Sequence, residues 1–150
     1  MQDVKKVLYE KCVAYADERI LSIENALQAS HEASVNDTKS SAGDKYETTR
    51  EMMQQEISRN AQQLMEAKKL RMILDKFSGD SASDEIKQGS YVVTSGGDFY
   101  ISISAGQLTA QSRTAYAISA NSPIGRLMMG CKAGDTVEIN KRTFSILEVY

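Results

Sequence analysis

Asp44 and Glu47 are the residues whose types and spacing best suit chemistry. They stand three apart in Ser41-Ala42-Gly43-Asp44-Lys45-Tyr46-Glu47-Thr48, at the expected turn between two long helices. On a helix, side chains three apart lie on one face with Cβ atoms about 5–6 Å from each other, so both carboxylates can address one ion or its bound water. Mg²⁺ demands oxygen ligands in near-octahedral geometry and commonly accepts one or two protein carboxylates, the remainder being water or phosphate. The same spacing also suits a structural role. Asp44 can cap the second helix while Glu47 folds back in a capping box and complements the helix dipole. Asn caps nearly as well as Asp but carries no charge, so the two roles are separable by substitution.

Other reactive side chains lack partners in the sequence. His31 is the only histidine and has no Ser or Cys constellation around it, which makes it a surface residue near the turn. Cys12 and Cys131 are far apart, match no zinc spacing, and suit buried thiols in a reducing compartment. Cys131 has no base placed beside it for nucleophilic work. Lys68, Lys69 and Arg71 form a basic cluster that suits a solvated face or a contact with RNA. Met52/Met53 and Met128/Met129 suit gap filling in a core.

The chain has 150 residues, enough for one ordinary domain or two small ones of modest stability. That leaves no room for the large α/β core of a condensing or acyl-transfer enzyme. With 18 Lys+Arg against 20 Asp+Glu, no overall basic field marks a binder of duplex nucleic acid or anionic membrane. Neither a signal-peptide apolar run nor a membrane-length apolar stretch is present, so a soluble cytoplasmic protein is expected.

Two helices must position the acids. Val4, Leu8, Cys12, Tyr15, Ile20, Ile23 and Leu27 form one helical stripe from Val4 to about Ala29. Met53, Ile57, Ala61, Leu64, Ala67, Leu70, Leu74 and Phe77 form a second, uninterrupted by Gly or Pro from Asp44 onward. Neither helix can bury its stripe alone, which predicts an antiparallel coiled-coil-like pair with an arm of roughly 45 Å. The connection from His31 to Gly43 is rich in Ser, Asn, Asp and Thr, which favour turns and caps over helix interiors.

Past Phe77 the composition turns small and polar, as in Ser78-Gly79-Asp80-Ser81. This places a helical hairpin at 1–78 with its tip near 31–47, a linker at 79–86 and a second domain at 87–150. Tyr91-Val92-Val93 and Phe99 to Ser104 read as antiparallel strands joined at Ser95-Gly96-Gly97-Asp98. Thr114 to Ser119, Thr136 to Ile139 and Thr143 to Val149 are further strands, the last two joined across Asn140-Lys141-Arg142. Ser122 as N-cap, Pro123 at the first helical position and Gly130 as the stop predict one short helix. The fold class is α+β.

Three motifs in this order carry a resemblance: Gly43-Asp44-Lys45-Tyr46-Glu47, then Ile118-Ser119-Ala120-Asn121-Ser122-Pro123-Ile124-Gly125-Arg126, then Gly134-Asp135-Thr136-Val137. Across nearly its whole length the chain resembles the GreA/GreB transcript cleavage factors of bacterial RNA polymerase, as a divergent member. The familiar tip continues as Glu-Asn-Ala-Glu-Tyr, where this chain has Glu47-Thr48-Thr49-Arg50-Glu51. The resemblance implies an FKBP-like second domain used for docking, with Asn121, Ser122, Pro123 and Ile124 in the loop that meets the polymerase. It implies that the hairpin enters the polymerase secondary channel, where Asp44 and Glu47 help hold a Mg²⁺ for cleavage of the extruded RNA 3′ end. The factor would be a monomer without catalysis of its own and without a membrane partner. A non-cleaving occupant of the same channel is the alternative, and a coiled-coil adaptor unrelated to polymerase is the third.

Overall fold

The computed structural model describes residues 1–40, 44–77 and 82–150, with the side chains of 36–46 left out of that description. Ser41, Ala42 and Gly43 of the expected tip, and 78–81 at the junction of the expected hairpin and linker, lie outside the described residues. The chain forms an α+β protein in which two long helices precede a strand-rich region with one short helix. It packs as two compact units: Ala16–Arg71, and Met1–Tyr15 together with Met72–Tyr150. The packing boundary therefore cuts both long helices, whereas the composition changes only after Phe77.

The helical unit is held by a seam with a heptad rhythm. Helix α1 spans Gln2–Ser40 and α2 spans Asp44–Asp75. Within this unit the described positions of α1 shielded from solvent are Ala16, Ile20, Ile23, Leu27, Ser30 and Ser34, alternating steps of four and three. In α2 Met53, Ile57, Asn60, Leu64, Ala67 and Arg71 keep the same alternation, and Thr49 and Leu70 are half-buried as well. This 3.5-residue period keeps one stripe facing a partner helix over many turns. The helices run antiparallel. Arg71 Nε meets Asp17 Oδ1 at 3.1 Å, while Ala29, Ala33 and Met53 border one hollow farther along.

Two expectations change here. The stretch from His31 to Ser40 continues α1 where a polar connection was expected. Ser30 and Ser34 extend the seam that Leu27 begins, and poor intrinsic propensity costs only a few tenths of a kcal/mol per residue against that packing. Ala61 is exposed, and Asn60 occupies the seam in its place because the repeat follows 3.5 residues and not 3.6.

The second unit is built on a six-stranded sheet of order β3-β4-β2-β1-β6-β5. Its strands are β1 Tyr91–Thr94, β2 Gly97–Ser102, β3 Gly106–Ala110, β4 Arg113–Ser119, β5 Thr136–Ile139 and β6 Arg142–Val149. Helix α3, Pro123–Met128, lies between β4 and β5 in the chain. The β1–β2 hairpin closes through Ser95-Gly96, and the β5–β6 hairpin through Asn140 and Lys141, both at positive φ as a type I′ turn requires. β2 and β4 pair in parallel, with Phe99 opposite Tyr116 and Ile101 opposite Ile118. Strand β3 is an addition to the sequence reading. It is paired to β4 by the tight turn at Gln111-Ser112, where Gln111 takes φ 56°.

Each sheet face has its own cover. Val92, Phe99, Ile101 and Ile146 form a core with Met128 of α3 and Val137 of β5. Tyr91, Tyr100 and Ser102 point the opposite way, where the first turns of α1 bury Val4, Leu8 and Cys12. Cys12 Sγ lies 3.4 Å from Ser102 Oγ, and the Lys11 ammonium donates to the Thr109 carbonyl. The Tyr9 hydroxyl donates to the Leu74 carbonyl at 2.7 Å, tying the start of α1 to the end of α2. Each large aliphatic side chain buried in this way contributes about 1.5–3 kcal/mol. Burial raises the Cys12 thiol pKa, with the Ser102 hydrogen bond partly opposing it, so Cys12 is packed as an inert thiol.

Candidate functional site

The acidic pair sits where a helix begins. Asp44 is the first residue of α2, and Glu47 follows in the first turn with its side chain exposed. The Asp44 carboxylate is among the side chains outside the description. Unsatisfied amides and the positive end of the helix dipole favour negative charge here. An exposed carboxylate in the first turn, as at Glu47, is thus placed at little cost to folding. Among the described residues no group of three or more His, Cys, Asp or Glu can hold a metal ion. Carboxylate oxygens are the ligand type Mg²⁺ takes, and two acids make at most a partial ligand set for it.

The expected docking loop is built by β4 and α3. Ser122 Oγ accepts from Gly125 N at 3.1 Å, the N-cap bond expected of it, and donates to the Ser119 carbonyl at 2.6 Å. Arg126 N bonds to the Ser122 carbonyl at 2.9 Å. Asn121 N donates to Ser119 Oγ at 3.1 Å, so the loop is locked back on the strand it leaves. Of the four residues, Asn121 and Pro123 are exposed. Ile124 packs against the sheet core, and Ser122 is occupied by capping. Leu127 and Met129, which are not among the residues expected to dock, are 46% and 39% exposed. Leu127 is four residues after Pro123, one helical turn along the same face.

The remaining candidates are dispersed. Lys68 and Lys69 are exposed, while Arg71 belongs to the seam and pairs with Asp17. Met53 and Met128 are the shielded members of their pairs, and Met52 and Met129 are exposed. His31 is exposed. Cys131 Sγ donates to the Leu127 carbonyl at 3.3 Å, and burial first, then Asp135, raises its pKa, which suits no nucleophile. A polar cluster not anticipated from sequence lies on the α1-facing side of the sheet. There the Tyr91 hydroxyl donates to Asp98, Arg113 Nη1 lies 3.5 Å from the same carboxylate, and the guanidinium stands 6.0 Å from the Tyr91 ring. These groups satisfy one another, so they read as a strut of the sheet.

No described helix is long and apolar enough to cross a membrane. No protein-family model and no curated protein matches the sequence. Among solved structures, that of the transcription factor Gfh1 aligns over 95% of this chain and 92% of its own length, at 21% identity and a TM-score of 0.35.

Proposed function

We propose that the protein is a Gre-like factor that binds bacterial RNA polymerase in its secondary channel and stimulates Mg²⁺-dependent cleavage of backtracked RNA. The observation that supports this reading is Glu47, exposed one turn after Asp44 at the start of α2, on a pair of antiparallel seam-packed helices. The sequence motifs around 43–47, 118–126 and 134–137 support the same reading. Asp44 and Glu47 would supply carboxylate oxygens to a Mg²⁺ shared with the polymerase. When bound there, that ion would lower the pKa of an attacking water and stabilise the oxygens of an in-line displacement. Asn121 and Pro123, with Leu127 and Met129 beside them, would contribute the docking surface. The chain itself is proposed to lack independent nuclease activity, since two exposed carboxylates offer no water-excluded electrostatic site for phosphate chemistry. It would act in the cytoplasm as a monomer.

The test is shortening of 3′-labelled RNA in a stalled, backtracked complex of the cognate polymerase, with wild type and Asp44→Asn/Glu47→Gln compared at saturating Mg²⁺. Shortening is expected with wild type and loss of it with the variant, while both bind equally. Stoichiometric binding of wild type without shortening replaces cleavage by the channel-occupying reading. Failure to bind polymerase at all replaces both by a coiled-coil adaptor.

A further inference from the structure

We propose that a recess in the sheet unit is a binding site for a small organic anion with an apolar body. The recess has a volume of about 360 Å³ and lies where the end of α2 meets the carboxyl ends of β2 and β4. Because β2 and β4 are parallel neighbours, both chains leave the sheet at the same rim, at Ser102 and Ser119. The crevice beyond the carboxyl ends of adjacent parallel strands is a recurrent place for ligands. Its volume falls near the lower end of small-molecule pockets, enough for a ring system and a charged group.

The walls are held before any ligand arrives. Phe77 supplies an aromatic surface, fixed edge-on to Tyr9 with centroids 5.6 Å apart. The Phe77 ring also lies against the backbone of Gly89, where an added Cβ would come within 2.8 Å of it. Gln88 Nε2 donates to the Ser102 carbonyl at 3.0 Å, which fixes the amide in the wall. Ile73 and Ala120 complete the apolar part. A preformed pocket avoids the ordering cost that a mobile one must meet on binding.

The polar part selects charge. Lys76 is the one charged residue in the lining among the described residues, which include no carboxylate. Ser119 Oγ accepts from Asn121 N, so its own hydrogen is available to donate into the recess. Asn121, whose side-chain amide can donate, lines the same rim. Ammonium, hydroxyl and amide donors over an apolar floor match a carboxylate, sulfonate or phosphate carried on a hydrophobic body. The negative end of α2 opposes an anion, but its Leu74 carbonyl is taken by the Tyr9 hydroxyl and its Ile73 carbonyl by Lys76 N.

The probe pair for the test is 8-anilinonaphthalene-1-sulfonate and the neutral N-phenyl-1-naphthylamine, which share an aromatic body and differ in the anionic group. Full-length protein is titrated with each and followed by fluorescence and by backbone amide NMR shifts. One saturable sulfonate site is expected, with shifts centred on Phe77, Gln88, Ser119 and Asn121. Lys76→Glu, at an exposed helix end, is expected to weaken the sulfonate at least tenfold while leaving the neutral probe within twofold. Lys76→Met is expected to fall between. Equal sulfonate affinity in wild type and Lys76→Glu, shifts centred elsewhere, or no saturable binding overturns the assignment. None of these outcomes depends on whether the chain binds polymerase.

Discussion

The Ser119 carbonyl oxygen stands where a side chain on Gly125 would begin: a Cβ built at Gly125 falls 2.2 Å from it and 2.8 Å from Ser122 Oγ. Helix α3 can therefore lie against the end of β4 only if position 125 has no side chain, and the obstacle is backbone, which cannot swing aside. Gly125→Ala is expected to destabilise the protein by about 2 kcal/mol or more, as overpacking of a close contact does. A urea midpoint within error of wild type would remove this contact as the reason for glycine there.

How much of this was legible follows from which interactions are local. The α3 start was readable because Ser122, Pro123 and the cap bond to Gly125 lie within four residues. The β1–β2 and β5–β6 hairpins were readable because their turn residues lie between alternating strands. Strand β3 was missed because Gly106-Gln107-Leu108-Thr109-Ala110 has weak alternation and is defined by pairing to β4. The parallel pairing of β2 with β4 was equally out of reach, since only the sheet order creates it. The acidic pair was legible as a helix start, whereas the recess at Lys76 and Asn121 joins residues 45 positions apart in sequence. No local spacing could have announced it.

Within the loop before α3, capping and docking should separate by residue. Ser122→Ala removes the acceptor for Gly125 N and is expected to cost about 1 kcal/mol, while Ser122→Asp keeps most of the stability. Asn121→Ala/Pro123→Ala alters two exposed side chains and is expected to shift stability by no more than about 0.5 kcal/mol. If the loop docks on polymerase, that double variant should bind it at least tenfold more weakly. Unchanged affinity would take the loop out of the docking surface.

Asn60 is a polar residue in an otherwise apolar stretch of the α2 seam between Ile57 and Leu64. A single polar seam residue typically fixes register while lowering stability. Asn60→Leu is expected to raise the thermal midpoint, by an amount equivalent to about 1 kcal/mol, and to promote association or an alternative register. Thermal unfolding followed at 222 nm, with sedimentation at two concentrations, checks both parts. A lower midpoint would show that the Asn60 amide has a partner worth more than the added apolar contact.

Tyr100 gives the sharpest test of the packing between α1 and the sheet. Its ring is fully buried, and its hydroxyl has no hydrogen-bond partner among the described residues. A buried hydroxyl left unpaired costs about 1–3 kcal/mol, so Tyr100→Phe is expected to stabilise the fold by about 1 kcal/mol at neutral pH. The effect should grow in alkali. Burial raises the Tyr100 pKa, helped by Cys12 and Tyr9, and burial with the Asp98 carboxylate pushes Tyr91 up to about 12. Between the ordinary tyrosine value of about 10 and the raised one, the unfolded chain loses a proton that the folded protein keeps. Stability is therefore fully present below about pH 10 and declines as pH rises through the window. Tyr100→Phe should flatten that decline in urea titrations between pH 9 and 11.5, and the phenolate absorbance at 295 nm should lose its latest-titrating component. A variant less stable than wild type at pH 7 would mean that the hydroxyl is satisfied in solution.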